Sequence, residues 1–308
     1  MDIQVVINQM IQLFMVIGLG YLLMKTHVLD EVFNKKLNTL LLTVTTPALI
    51  LSSVMGNDNL QDADTVLFVF VVAIIVYVLL PLLGIIITKL LRVPHQQSGL
   101  YIFMTVFSNI GFMGFPVMKA IFGNGAVFYT AIFNMIFNIF VYTIGIYLIN
   151  LGSGAKTSFQ LKNLRSPGII ACLIALLIYF LHIQTPSIIA ETCDMVGSIT
   201  TPIAMLLIGA TLANIDVKSI FSEFRLYPYT IIKQILIPVI AFPILKLFIQ
   251  DSYILGITLI MLAMPVANSA VLFSQEYGGD VELAAKSVFI TTLISVVTIP
   301  AIVSFLLI

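Results

Sequence analysis

Of the 308 residues, 60% are hydrophobic and 9% charged, where a globular chain carries roughly 25% charged residues. Mean hydropathy is +1.13, and a soluble fold of this length has too little interior to hide so much apolar surface, so lipid is the solvent the composition calls for. Fourteen basic residues balance fourteen acidic ones, which argues against a nucleic-acid or polybasic partner.

In chain order, the apolar runs cut at charges and turn residues predict ten spans: about 4–24, 37–55, 66–88, 98–122, 126–149, 167–183, 187–213, 227–249, 253–275 and 284–307. In lipid every backbone polar group must be paired within the protein, so spans are helices or closed barrels. Barrel strands alternate in polarity, and the run 66–80 (VLFVFVVAIIVYVLL) does not. The N-terminal MDIQVVINQM lacks the basic region of a cleavable signal and opens a full-length apolar run, so it reads as the first span. Pro81 in the third span and Pro238 and Pro243 in the eighth are tolerated by lipid-embedded helices.

Orientation follows from Lys and Arg. The connections after spans 1, 3, 5, 7 and 9 hold Lys25, Lys35, Lys36, Lys89, Arg92, Lys156, Lys162, Arg165, Lys218, Arg225 and Lys286. The other connections and both termini hold Lys119 and Lys246. This imbalance predicts a multi-pass protein of the cell membrane with both termini outside and the longest basic loop, 150–166, in the cytoplasm. Lys233 lies about one turn inside the eighth span, and the expectation there is a side chain that snorkels to the cytoplasmic surface.

That loop divides the chain into 1–149 and 167–308, five spans each. An odd number per half forces opposite topologies, so homology between the halves would make an inverted repeat. Thr43-Val-Thr-Thr-Pro-Ala-Leu-Ile-Leu51 echoes Ser198-Ile-Thr-Thr-Pro-Ile-Ala-Met-Leu206, 155 residues apart. Phe115-Pro116-Val117 echoes Met264-Pro265-Val266, 149 residues apart.

Enzyme signatures such as HExxH, GxSxG and the P-loop are absent. Gly278-Gly279-Asp280 is a loose echo of an aspartyl-protease motif without a partner acid in another span. Cys172 and Cys193 form no CxxC, and His27, His95 and His182 are far apart, so neither a disulfide framework nor a metal site is expected. No cofactor is implied; coupling to H+ or Na+ stays open.

The chemistry concentrates at two interrupted spans. In the fourth (TVFSNIGFMGFPVMKAIFG, 105–123), Gly111, Gly114 and Pro116 predict an interruption near 109–116 and a new half-helix beginning at Pro116. In the ninth (MLAMPVANSAVLF, 261–273), Pro265 repeats the device. Half-helix N-termini at such breaks form a site for an anion, and plain proline kinks are the alternative. Asn109, Asn268 and Ser269 flank the breaks and serve either a ligand or freed backbone groups. Lys119 offsets substrate charge or snorkels outward; Glu191, Asp194 and Glu276 relay protons or face water. Gln4, Asn8 and Gln12 in the first span, and Asn134 and Asn138 in the fifth, form polar stripes that suit interhelical hydrogen bonds.

At these residues the chain resembles the auxin efflux carrier family, which joins plant auxin exporters with bacterial organic-acid permeases. The match runs over Asn109–Gly123, with its Gly-Phe-Pro-Val-Met-Lys-Ala-Ile-Phe-Gly ending, and over Ala263-Met-Pro265 with Phe273-Ser-Gln-Glu-Tyr277. Thr200–Ala213 is similar to the seventh-span signature of the bacterial branch, and Arg165-Ser-Pro167 to the entry of the sixth span. The resemblance implies an all-α membrane protein of ten transmembrane helices in two inverted five-helix repeats, with broken helices 4 and 9 crossing at their prolines. It implies a scaffold of spans 1, 2, 6 and 7, often dimeric, beside a moving transport unit, an elevator. Asn109, Pro116 and Pro265 carry over by position as substrate-site residues. The plant members' long cytoplasmic loop is missing, which places the chain nearer the bacterial branch.

The expectation is a secondary transporter of a small organic anion, a malate-like dicarboxylate or an auxin-like carboxylate, working as a homodimer in the bilayer by alternating access. The alternatives are a sodium-coupled symporter of a bulkier organic anion and a membrane anion sensor. With Lys233 read as snorkelling, the anion would be held by helix ends and amides, without fixed positive charge.

Overall fold

A computed structural model describes residues 3–55, 63–151, 167–214 and 223–307. Among them the chain is helical throughout apart from turns, short connections and one isolated antiparallel bridge, Ser108–Val266. The helices are α1 (Ile3–Lys25), α2 (Glu31–Leu40, Leu41–Thr45 and Thr46–Ser52 end to end), α3 (Ala63–Leu90), α4 (His95–Val106), α5 (Ile110–Phe122) and α6 (Asn124–Asn150). Then follow α7 (Pro167–Phe180), α8 (Ser187–Ala213, with a turn at Ile199), α9 (Leu226–Phe248), α10 (Ser252–Ala263), α11 (Ser269–Tyr277) and α12 (Val281–Leu307). Five of them, α3, α6, α8, α9 and α12, are long and apolar enough to cross a bilayer alone. The linker expected at 150–166 lies, from residue 152 on, outside the described residues, and so does Lys218.

Helix α3 shows why composition pointed to lipid. Val66, Val69, Ala73, Tyr77, Leu80, Gly84 and Ile87 are buried at spacings of three or four, the seam of a packed helix. The opposite face carries Leu67, Val71, Ile75, Val78, Leu82 and Ile86, all exposed and equally apolar. A helix that is hydrophobic all round while half exposed is stable only where the outside is hydrocarbon.

Prolines shape the helices locally. Widened five-residue turns at Leu41–Thr45, Ile110–Gly114 and Ile232–Leu236 each end two residues before a proline, Pro47, Pro116 and Pro238. A proline inside a helix lacks the N–H for its bond and collides with the carbonyl four residues back. Widening the preceding turn moves that carbonyl aside and re-aims the side chains on the turn, a feature frequent at functional sites.

The closest packing falls in two groups, which also touch each other where α1 meets α5 and α12 and where α6 meets α7. Helix α1 lies along the Thr200–Ala213 part of α8, and the Thr46–Ser52 part of α2 lies on α7 and on the Ser187–Ser198 part of α8. Glycines permit these approaches: Gly209 faces the backbone of Ile17 and Tyr21, Gly20 that of Leu206, and Gly197 that of Leu49. Small residues at such interfaces let helix backbones come together in lipid. The second group is built from α3–α6 and α9–α12, with α3 on α4 and α6, and α12 against α9, α10 and α11.

Candidate substrate site

The fourth and ninth apolar runs are each two helices. Between α4 and α5, and between α10 and α11, the chain is extended, and the two breaks meet. Asn109 N donates to Pro265 O at 2.8 Å and Ala267 N donates to Phe107 O at 3.0 Å, on either side of the Ser108–Val266 pair. Val266 N donates to Thr291 Oγ1 of α12 at 3.1 Å. Helix ends leave N–H and C=O groups without intrahelical partners, and away from water those groups must find protein partners. Each break supplies them for the other. Because the pairing is antiparallel, the start of α5 lies beside the end of α10, and the start of α11 beside the end of α4.

The fourth-span break is earlier than expected. The glycines and Pro116 predicted a half-helix starting at Pro116; α5 starts at Ile110, capped by Asn109, whose Oδ1 accepts from Phe112 N at 3.3 Å. Pro116 is buried inside α5, behind a widened turn, and not at the crossing. The physical reason is that a capping amide ends the extended segment, while a proline near a helix start is tolerated. Asn109 before an apolar run carried that signal. Pro265 does lie in its break and needs no donor there, since its carbonyl makes the cross-break bond. The two prolines therefore do not occupy equivalent places.

The residue that sequence reasoning missed is Lys233. Its side chain does not snorkel. It is 1% exposed, and Nζ donates to Thr105 O at 3.2 Å and Ser108 Oγ at 2.9 Å. Lys233 sits on the widened turn Ile232–Leu236 ahead of Pro238, which turns it and Gln234 inward. Gln234 Nε2 donates to Thr291 O at 2.8 Å, tying the same turn to the helix that holds Val266. Thr105 Oγ1 donates to Tyr101 O at 2.8 Å and lies 3.4 Å from the Tyr229 hydroxyl. An ammonium thus faces the carbonyl end of α4, where the helix dipole is negative. A lysine five residues before a mid-helix proline was the available clue.

Two of the three ammonium donors are used, and among the described residues no acid is paired with Lys233. Asn109 Nδ2 is buried without a partner, and so is Ser269 Oγ at the start of α11. Gly111 is half-buried and faces Asn134 of α6, whose Oδ1 would be 3.8 Å from a methyl placed there. Gly114 and Pro116 are buried deeper in α5, and Asn268 is half-buried beside Ser269. Asn138 does not bridge helices; its amide donates to Asn134 O within α6 at 2.7 Å.

The acids stand apart from this centre. Glu191, Asp194 and Glu276 are exposed. Lys119 lies 3.9 Å from Asp194, with the lysine half-buried and the acid exposed. Such a pair contributes roughly 0–1 kcal/mol. Asp194→Asn is therefore expected to leave the melting temperature of the purified protein within a few degrees of the parent, read in a thermal unfolding scan in detergent.

The comparisons with known proteins place the chain among transporters. The profile of the family described as "Membrane transport protein" matches residues 5–303. An uncharacterized transporter of Methanocaldococcus jannaschii is 26% identical over 289 residues, covering 91% of this chain and 92% of that protein. The uncharacterized transporter YfdV of Escherichia coli is 25% identical over 304 residues, covering 96% and 95%. A protein of Rhizobium meliloti named a putative malonate transporter is 25% identical over 274 residues, covering 85% and 84%. With the profile matching nearly the whole length, the chain belongs to the membrane transport proteins of the auxin efflux carrier family, and is a multi-pass transporter and not an enzyme.

Proposed function

We propose that this protein carries a small organic anion, a short dicarboxylate in first place, by alternating access around the crossing of the two breaks. The observation that supports this reading is the buried, acid-free ammonium of Lys233, bonded to Ser108, together with the unpartnered amide of the next residue, Asn109. A buried charge without a counter-ion is costly, and a carboxylate entering the crossing would remove that cost while taking the open donors. Ser269 at the start of α11 adds a hydroxyl and a helix N-terminus. The name of the Rhizobium meliloti relative favours a malonate-sized acid.

The same proposal includes ten spans in two inverted repeats. In its favour, the two Thr-Thr-Pro stretches lie on helix parts close to one another, with Gly197 against Leu49. The first half-helices end at Val106 and Ala263, 157 residues apart and near the 155 of those triplets. In favour of the sidedness, Gln97 at the start of α4 donates to Asp280 at the start of α12 at 3.1 Å, so two connections assigned to the cytoplasm touch. The group α1, α2, α7 and α8 would be the scaffold and the dimer contact, and the rest the moving unit of an elevator.

Counterflow of labelled malonate or malate in proteoliposomes tests the reading. Saturable exchange is expected with one of these acids, and tight binding without flux would establish a sensor instead. Asn109→Asp keeps the Oδ1 cap on α5 but removes the amide donor and adds a negative charge. It should lower exchange by about 10- to 100-fold, the loss of one charge-assisted hydrogen bond of roughly 1.5–3 kcal/mol. Undiminished exchange in this variant would take Asn109 out of the site.

A further inference from the structure

We propose that the Lys233 ammonium is a tethered cation standing where a coupling sodium ion would otherwise bind, so that this carrier works without Na+. The inference rests on the transport reading above and concerns how its site is charged.

The atoms that hold Nζ are of the kind an alkali cation takes as ligands. They are a backbone carbonyl, Thr105 O at 3.2 Å, and a hydroxyl, Ser108 Oγ at 2.9 Å. Both are neutral oxygens from a helix end and the break that follows it, and Thr105 and Ser108 are 0% and 4% exposed. Hard cations take oxygen ligands, and in carriers with broken helices the carbonyl ends of half-helices and unwound carbonyls hold Na+. The end of α4 presents about half a negative charge, and no carboxylate among the described residues is paired with the ammonium. A single positive charge suits those two oxygens and the helix end behind them, and here it is covalently attached to α9.

Attachment changes the cycle. A free ion leaves with the substrate and must be re-bound from a gradient, whereas the lysine stays. It stabilises the anion at the crossing, and when the anion leaves it falls back on Thr105 O and Ser108 Oγ. Each turnover then moves the charge of the substrate alone.

The test uses full-length protein and three substitution states. Wild-type exchange should be equal within about twofold in choline, potassium and sodium chloride. Lys233→Ala opens a space lined by Thr105 O and Ser108 Oγ; its exchange should fall at least 10-fold in choline and recover several-fold, saturably, with Na+ or K+. Lys233→Met fills the space and should stay inactive in all three salts. A second readout does not need transport. At equal ionic strength, Na+ or K+ should raise the unfolding midpoint of purified Lys233→Ala relative to choline, and leave wild type and Lys233→Met unmoved, because an ion that binds only the folded state stabilises it. Recovery of folded Lys233→Ala only in alkali salts is the same result read as yield. Na+ stimulation of wild-type exchange, or a Lys233→Ala protein that unfolds identically or is irrecoverable in all three salts, overturns the proposal. Absence of wild-type flux with any acid sinks the transport reading alone, and the unfolding comparison still decides the cation site.

Discussion

Lys233→Met is expected to reduce exchange of the transported acid by at least about 100-fold while the protein inserts, purifies and unfolds much like the parent. The two halves of that expectation have different causes. Removing one member of a desolvated charge pair costs about 2–5 kcal/mol of binding, and about 2.7 kcal/mol is 100-fold. Folding is affected far less, because the ammonium is an expense in the empty protein. Methionine has nearly the same length, fills the same space and removes a buried charge, a change that is often neutral or stabilising. Against this, Thr105 O and Ser108 Oγ lose a donor, worth about 1–3 kcal/mol. Exchange in proteoliposomes and thermal unfolding in detergent, measured on the same preparation, separate the two. Parental exchange in a well-folded Lys233→Met protein would remove Lys233 from the substrate site.

The second large effect is on assembly. Gly209→Ala should cost at least about 3 kcal/mol, the upper part of the range for overpacking, and most of the yield of folded protein. A methyl at Gly209 would meet the carbonyl of Ile17 and lie 2.7 Å from Tyr21 N. Both are backbone atoms, so no side chain can turn aside and α1 must move off α8. The neighbouring control is Gly18→Ala, where nothing lies within 4 Å and the parental melting temperature is expected. Detergent-solubilised yield by size-exclusion chromatography and the unfolding midpoint read both. A Gly209→Ala protein that unfolds like Gly18→Ala would show that the helices do not approach as described.

The candidate site was partly readable in the chain. Asn109 stood out because an intramembrane amide at a break serves either a ligand or freed backbone groups, and in the structure its Oδ1 caps α5. Pro265 stood out because a proline cannot continue a helix, and it lies in a break. Pro116 obeys the same rule yet sits inside α5, because a widened turn absorbs a proline as effectively as a break does. The rule does not say which of these will occur. The polar stripe on α6 shows a similar limit: Asn134 faces Gly111, while Asn138 turns back on its own helix.

What the sequence determined by itself are properties that each segment carries alone. Transfer of Val66–Leu80 to lipid depends only on its own side chains, so the solvent, the helical class and the membership in a transporter family were legible. The tertiary structure alone decided which face of α3 is buried, since both faces are apolar and only small residues such as Ala73 and Gly84 mark the packed side. It also decided the role of Lys233. Its direction depends on the turn widened by Pro238, and its partner carbonyl, Thr105 O, is 128 residues away in the chain. A charge near a span end and a charge at the crossing look alike in a sequence; they differ in what another helix places opposite.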